Sequence, residues 1–328
     1  MTIAILAAAC AAVMGVTAVV EAGDPAPAAR VVVVTAATQT DTTVAVRRGQ
    51  RLDLDNFAGP VEVGVWARDL LRVAATHSAR VHAVVDAGGP TVVVRARGRL
   101  RVRDLEDRAE AEVEQPGLPG TVAYRLTVPS WMELKLSGVL SDLTIAGVES
   151  AVSAETVRGM VTLTGGRGRI RLSSINGGVR VEGARGRLDV SSVNQGVTLR
   201  DVDGDISVET VNGDIALDRV VSEAVEGATV NGDITYLGTI RDDGRYRFAT
   251  HNGDVTVVMP EHVNAAISME TFNGGFESSF PVTFRGSRRR HLDFTLGSGG
   301  AEVRLESFQG TIRLLRAGEK LKSKRRGE

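Results

Sequence analysis

"ETVNGDIAL" (residues 209–217) and "ATVNGDITY" (228–236) are two copies of one phrase. Four variants surround them: "SSINGGVRV" (173–181), "SSVNQGVTL" (191–199), "THNGDVTVV" (250–258) and "TFNGGFESS" (271–279). Their Asn residues, Asn176, Asn194, Asn212, Asn231, Asn252 and Asn273, stand 18, 18, 19, 21 and 21 positions apart. A recurring period of about 20 residues is the mark of a repeat architecture. Counted from each Asn, apolar residues occupy −6 and −4 (Ile170/Leu172, Leu188/Val190, Ile206/Val208, Tyr246/Phe248, Ile267/Met269). They recur at +3 and +5 (Val179/Val181, Val197/Leu199, Ile215/Leu217, Ile234/Tyr236, Val255/Val257). The −1 slot holds Ile175, Val193, Val211, Val230 and Phe272, with His251 in the fifth copy. Alternation with period two means short strands with one buried face. The parity change between −4 and −1 predicts a bend there and an inward −1 residue. Each copy is then two strands with corners and about five inward residues.

One such unit cannot bury its apolar set. Stacking the copies about 4.8 Å apart gives each backbone group a partner above and below. A meander of hairpins is the competing arrangement, because Asn-Gly is a strong hairpin signal. The solenoid is favoured because the whole five-position template repeats, bend included. The template also fits with Ala58, Leu140, Arg158 or Gln309 in the Asn slot. The expected fold is an all-β solenoid of 18–21-residue coils, with regular coils over 134–278 and again over 303–314. An irregular β region (70–128) and a hairpin insertion (280–296, "FPVTF" and "LDFTL") are the expected caps of its strand edges.

Composition agrees. Of 328 residues 43% are hydrophobic but only 4% aromatic, so the core is built from Val, Leu, Ile and Ala. A net charge of −1 gives no ground for nucleic-acid binding. The lone cysteine, Cys10, lies in the apolar run at residues 2–20. That excludes disulfides and Cys-based metal sites from the body of the chain. Residues 1–23 read as a secretory leader, although no basic residue precedes the apolar run. The alternative is an uncleaved membrane anchor, since about 20 apolar residues span a bilayer. Residues 24–45 are a linker, 46–315 the solenoid domain and 316–328 a basic tail.

The order of "RRGQRLDLDNFAGPVEVGVW" (47–66), "YRLTVPSWMELKLSGVLSDLTIAG" (124–147), the "VNGDI" units and "GSGGAEVRLESFQGTIRLL" (297–315) resembles the bacterial DUF4097 family of adhesin-like proteins. The resemblance covers roughly 46–315. It implies a β-solenoid head on an extracytoplasmic envelope protein. It implies adhesion by name, a link to envelope-stress signalling in some relatives, and no catalytic residues to carry over. The slots at Leu140, Arg158 and Gln195 depart from the family's Asn-Gly.

Four groups are candidates for function. The six Asn form a structural ladder, their amides bonding from coil to coil. Asp214, Asp233 and Asp254 share the +2 slot, which stacks three carboxylates; they are turn residues or a calcium-type cation site. His77, His82, His251, His262 and His291 show no metal spacing, and His251 fills an inward slot. Arg285, Arg288, Arg289 and Arg290, with the tail Lys320, Lys322, Lys324, Arg325 and Arg326, suit an anionic partner. No G-x-S-x-G, P-loop or H-E-x-x-H motif is present. The expected function is an extracytoplasmic binding protein without enzymatic activity or resident cofactor, presenting polar ladders to an envelope polymer or protein. The alternatives are a polysaccharide-processing enzyme using a carboxylate pair on one face, and an accessory of envelope-stress signalling.

Overall fold

The computed structural model describes residues 38–78, 81–103, 110–116, 121–281 and 290–318. The proposed leader or anchor (1–23), Arg285, Arg288, Arg289 and the tail lysines and arginines beyond 318 lie outside them. The described residues form a β-solenoid of two sheets, one of 14 strands and one of 13. Sheet I holds the strands that lead into the Asn slot. Sheet II holds those that follow it. Pairing between successive coils is parallel and in register, with one shift between Asp218 and Val220: Val190 faces Val208, Val208 faces Gly227, and Leu199 faces Leu217. The core is one continuous column between the sheets.

The template positions −6, −4, +3 and +5 are buried as expected, for example Leu188, Val190, Val197 and Leu199. The −1 slot is not. Ile175, Val193, Val211, Val230, His251 and Phe272 are all exposed. The strand runs without a bend from −4 to −2. Alternation continues to −2, where Thr156, Ser174, Ser192, Thr210, Thr229, Thr250, Thr271 and Ser307 are buried. Each hydroxyl donates to a corner carbonyl of a neighbouring coil, as Thr210 does to Gln195 (3.1 Å) and Thr250 to Gly232 (2.9 Å). A buried carbonyl without a partner costs about 1–3 kcal/mol, so a small hydroxyl outcompetes valine for this slot.

The corner glycines have a steric reason rather than a conformational one. Gly177, Gly213, Gly232 and Gly253 do not adopt positive φ. A Cβ on Gly232 would instead lie 2.1 Å from the Gly213 carbonyl oxygen. The second corner is the left-handed one. Gly147, Gly165, Gly183, Asp201 and Arg219 occupy it in successive coils, with φ between 53° and 79°. Asp201 and Arg219 replace glycine there and form a bidentate ion pair with each other. The Arg219 guanidinium holds the Asp201 carboxyl below the usual carboxylate range.

The ends of the stack follow a different order from the chain. Ala58 and Leu140 are neighbours in register, as are Leu140 and Arg158, so the slot template does reach back to residue 52. Beyond them, Thr91–Arg103 and Val122–Pro129 add a further coil, and the antiparallel strands Val81–Asp86, Leu70–His77 and Thr38–Ala45 close it. At the other end Asn252 faces Gln309, and Gln309 faces Asn273. The coil at 301–316 is thus inserted between two coils that precede it in sequence. His291–Leu296 pairs antiparallel with Ala265–Asn273 at the edge of sheet I, and residues 282–289 of the expected hairpin insertion lie outside the described residues.

Candidate functional site

Because every coil turns at the same slot, the corner exposes two parallel rows. The first is amide. Asn194 donates to Asn176 (2.6 Å), Asn212 to Asn194 (3.2 Å), Asn231 to Asn212 (2.9 Å) and Asn252 to Asn231 (2.7 Å). Asn273 shares the column but is separated from Asn252 by Gln309. The second row is apolar and is formed by the −1 residues. From Phe57 through Val139, Val157, Ile175, Val193, Val211 and Val230 to Phe308 and Phe272, these side chains are 37–46% exposed.

The row ends in a stack of rings. His251 lies parallel to Phe308 with centroids 4.6 Å apart, and Phe308 lies parallel to Phe272 at 4.9 Å. Arg290 closes the stack, its guanidinium 4.0 Å from the Phe272 centroid. His251 is therefore a member of the outward row, not a residue tolerated in the core. Arg290 is the one member of the proposed basic loop cluster among the described residues, and it is spent on an aromatic face.

The Asp column is brought together as the period requires, with each carboxylate engaged. Asp214 accepts the Asp233 backbone N–H (2.8 Å) and Asp233 accepts that of Asp254 (2.7 Å). Asp254 accepts the Thr311 N–H (2.7 Å) and pairs with Arg313 (2.7 Å). Burial alone would lower the Arg313 pKa, but the Asp254 and Glu277 carboxylates raise it overall. Among the described residues no three His, Cys, Asp or Glu side chains converge in a way that could hold a metal ion. Calcium is expected to leave the melting temperature of the protein unchanged. The Asp214→Asn, Asp233→Asn, Asp254→Asn variant should be equally insensitive to it and only about 1 kcal/mol less stable, since an amide oxygen still accepts the coil-to-coil N–H. A calcium-dependent rise in the wild-type melting temperature would favour the cation reading.

The remaining histidines are dispersed. His77 bonds to Thr40 (2.7 Å) and His291 to Asp293 (2.7 Å). The outward apolar row is what the sequence reading missed. Its signal was present: the −2 slot holds Ser or Thr in every copy from Arg158 onward. An unbroken alternation with a buried hydroxyl at −2 puts the β-branched residue at −1 outside.

No curated protein matches the chain. Solved structures similar to it include a candidate cell-adhesion protein from Clostridium sporogenes, 9% identical, covering 86% of this chain and 100% of that one with a TM-score of 0.22. A candidate lipid-binding protein from Parabacteroides distasonis is 11% identical over 84% of this chain and 96% of its own, with a TM-score of 0.39. A candidate adhesin from the same organism is 11% identical over 85% and 97%, with a TM-score of 0.35. These superpositions are too distant to carry an argument. The family model described as Toastrack DUF4097 matches residues 130–315, more than half of the sequence and the whole run of slots from Leu140 to Gln309. The chain belongs to the Toastrack DUF4097 family.

Proposed function

We propose that the chain is the extracytoplasmic binding head of a bacterial envelope protein, with the laddered corner as its contact surface for an envelope polymer or protein partner. The observation that carries this reading is the continuous outward row of −1 side chains beside the Asn amides. Single exposed valines need no explanation. Nine apolar side chains and His251 line up on ten successive coils, and a contiguous exposed strip of this kind marks an interaction surface. The amides beside it supply a regular row of donors and acceptors. The engagement of the stacked carboxylates with backbone N–H groups agrees with a binding rather than a catalytic role.

The test combines a glycan array and binding to isolated envelope polymer with an assay for released sugar. Val193→Asp with Val230→Asp places two charges on non-adjacent rungs of the strip without touching the core. This variant should bind the captured polymer at least tenfold more weakly than the parent, at an unchanged melting temperature and with no sugar released by either protein. Unchanged binding by the variant, or turnover by the parent, would sink the reading.

A further inference from the structure

Stacked coils place like-numbered side chains about 4.8 Å apart, and this molecule usually answers a cation with a carboxylate on the next rung. Arg171 pairs with Asp189 (3.3 Å), Arg200 with Asp218 (3.2 Å) and Lys135 with Asp53 (3.4 Å). Two adjacent rungs of sheet I break the rule. In "RGR" at 167–169 and "RGR" at 185–187, Arg167 faces Arg185 and Arg169 faces Arg187. All four arginines are exposed. Among the described residues, none of them forms an ion pair, although Asp203 occupies the next rung beyond Arg185. Like charges directly opposite on paired strands are destabilising. Arg247 also faces Arg304 across paired strands, but Glu306 and Glu302 pair with those two arginines (3.5 and 2.6 Å), whereas the rungs at 167/185 and 169/187 carry their repulsion without such a carboxylate.

Between the arginine rows the surface is bare backbone. A Cβ on Gly186 would lie 2.2 Å from the Gly168 carbonyl oxygen, so the two coils approach as closely as their main chains allow.

We propose that these two Arg–Arg rungs bind a polymer bearing repeated oxyanions, its carboxylate or phosphate groups seated between paired guanidinium forks. Guanidinium matches both anions bidentately, and an anion shared by two arginines removes the repulsion between them. The proposal rests on the reading of the chain as a polymer-binding head and assigns the charged part of that contact to sheet I, away from the apolar corner.

The experiment measures binding of the intact described domain to polygalacturonate, to inorganic polyphosphate and to neutral dextran at several salt concentrations. The test variant is Arg185→Gln with Arg187→Gln, which removes one cation from each rung without setting a carboxylate against Asp203. The control is Arg47→Gln with Arg180→Gln, an equal change of net charge at other exposed positions. Wild type should bind one or both polyanions, with an affinity that falls as salt rises. The test variant should bind at least tenfold more weakly, without a lower melting temperature, and the control within twofold of wild type. The stronger of the two anionic probes identifies the source of the oxyanion. Equal weakening in both variants, or none in the test variant, overturns the proposal. If wild type binds only a neutral polymer, and through the corner, this inference fails while the binding-head reading stands. If it binds no polymer or envelope fraction, both fail.

Discussion

Replacing Gly232 by alanine is expected to destabilise the protein by about 3 kcal/mol, the upper end of what over-packing costs. A single methyl has this effect because of what it meets. The added Cβ would lie 2.1 Å from the Gly213 carbonyl oxygen and 2.5 Å from its carbon. That carbonyl cannot move aside, since Thr229 donates to it (3.1 Å). The neighbouring coil is held in the same way, with the Gly253 position against the Gly232 oxygen at 2.0 Å. Relief would require two coils to separate and their ladder of backbone bonds to lengthen. Asn231→Ala, one residue away, removes two exposed amide bonds and should cost only about 1 kcal/mol. Urea unfolding of both variants beside the parent makes the comparison. A Gly232→Ala variant within 0.5 kcal/mol of wild type, a bound set well below the over-packing range, would show that the corner glycines are not there for coil-to-coil approach.

The second large effect lies in the core. Phe248→Ala should cost about 3–5 kcal/mol. Phe248, Tyr236 and Tyr246 are all buried, with the Tyr236 and Phe248 ring centroids 5.2 Å apart and the two Tyr rings 5.8 Å apart. The space for the phenyl ring is made by Gly227, which occupies a −4 slot held by Val208 and Phe248 in the flanking coils. A Cβ there would lie 3.0 Å from the Phe248 ring. The two positions are therefore coupled. Gly227→Val alone should destabilise, whereas in the Phe248→Ala background it should recover 1 kcal/mol or more, an interaction typical of contacting residues. Strict additivity in the double-mutant cycle would mean that Gly227 serves the backbone and not the ring.

The two halves of the repeat differ in how legible they were. The slots at −6, −4, +3 and +5 hold only apolar residues facing one way, so their alternation fixed strands, faces and register together. The −1 and −2 slots misled because hydropathy ranks Val211 above Thr210. What decides burial at that point is the need of the Gln195 carbonyl for a donor, which valine cannot meet. The order of the last coils was illegible for a related reason. Asn252, Gln309 and Asn273 head templates that are interchangeable in shape and spacing, so each can stack on either of the others. Only the antiparallel strand His291–Leu296, which occupies the outer edge of the Asn273 coil, settles which one is terminal. Asp214, Asp233 and Asp254 were legible as aligned carboxylates. Their acceptance of the next coil's N–H depends on side-chain geometry that spacing alone does not contain.

That exchanged order has a consequence for assembly. In an ordinary solenoid each new coil lays itself on the last, so synthesis and stacking run in the same direction. Here the edge of Arg245–Asn252 receives Ala301–Gln309, not the segment that follows it in the chain. Residues 265–273 emerge without their parallel partner and wait for a strand encoded some 30 positions later. The final coil then acts as a keystone: it joins both sides at once, and until it arrives the growing stack presents an open β-edge of the kind that recruits other chains.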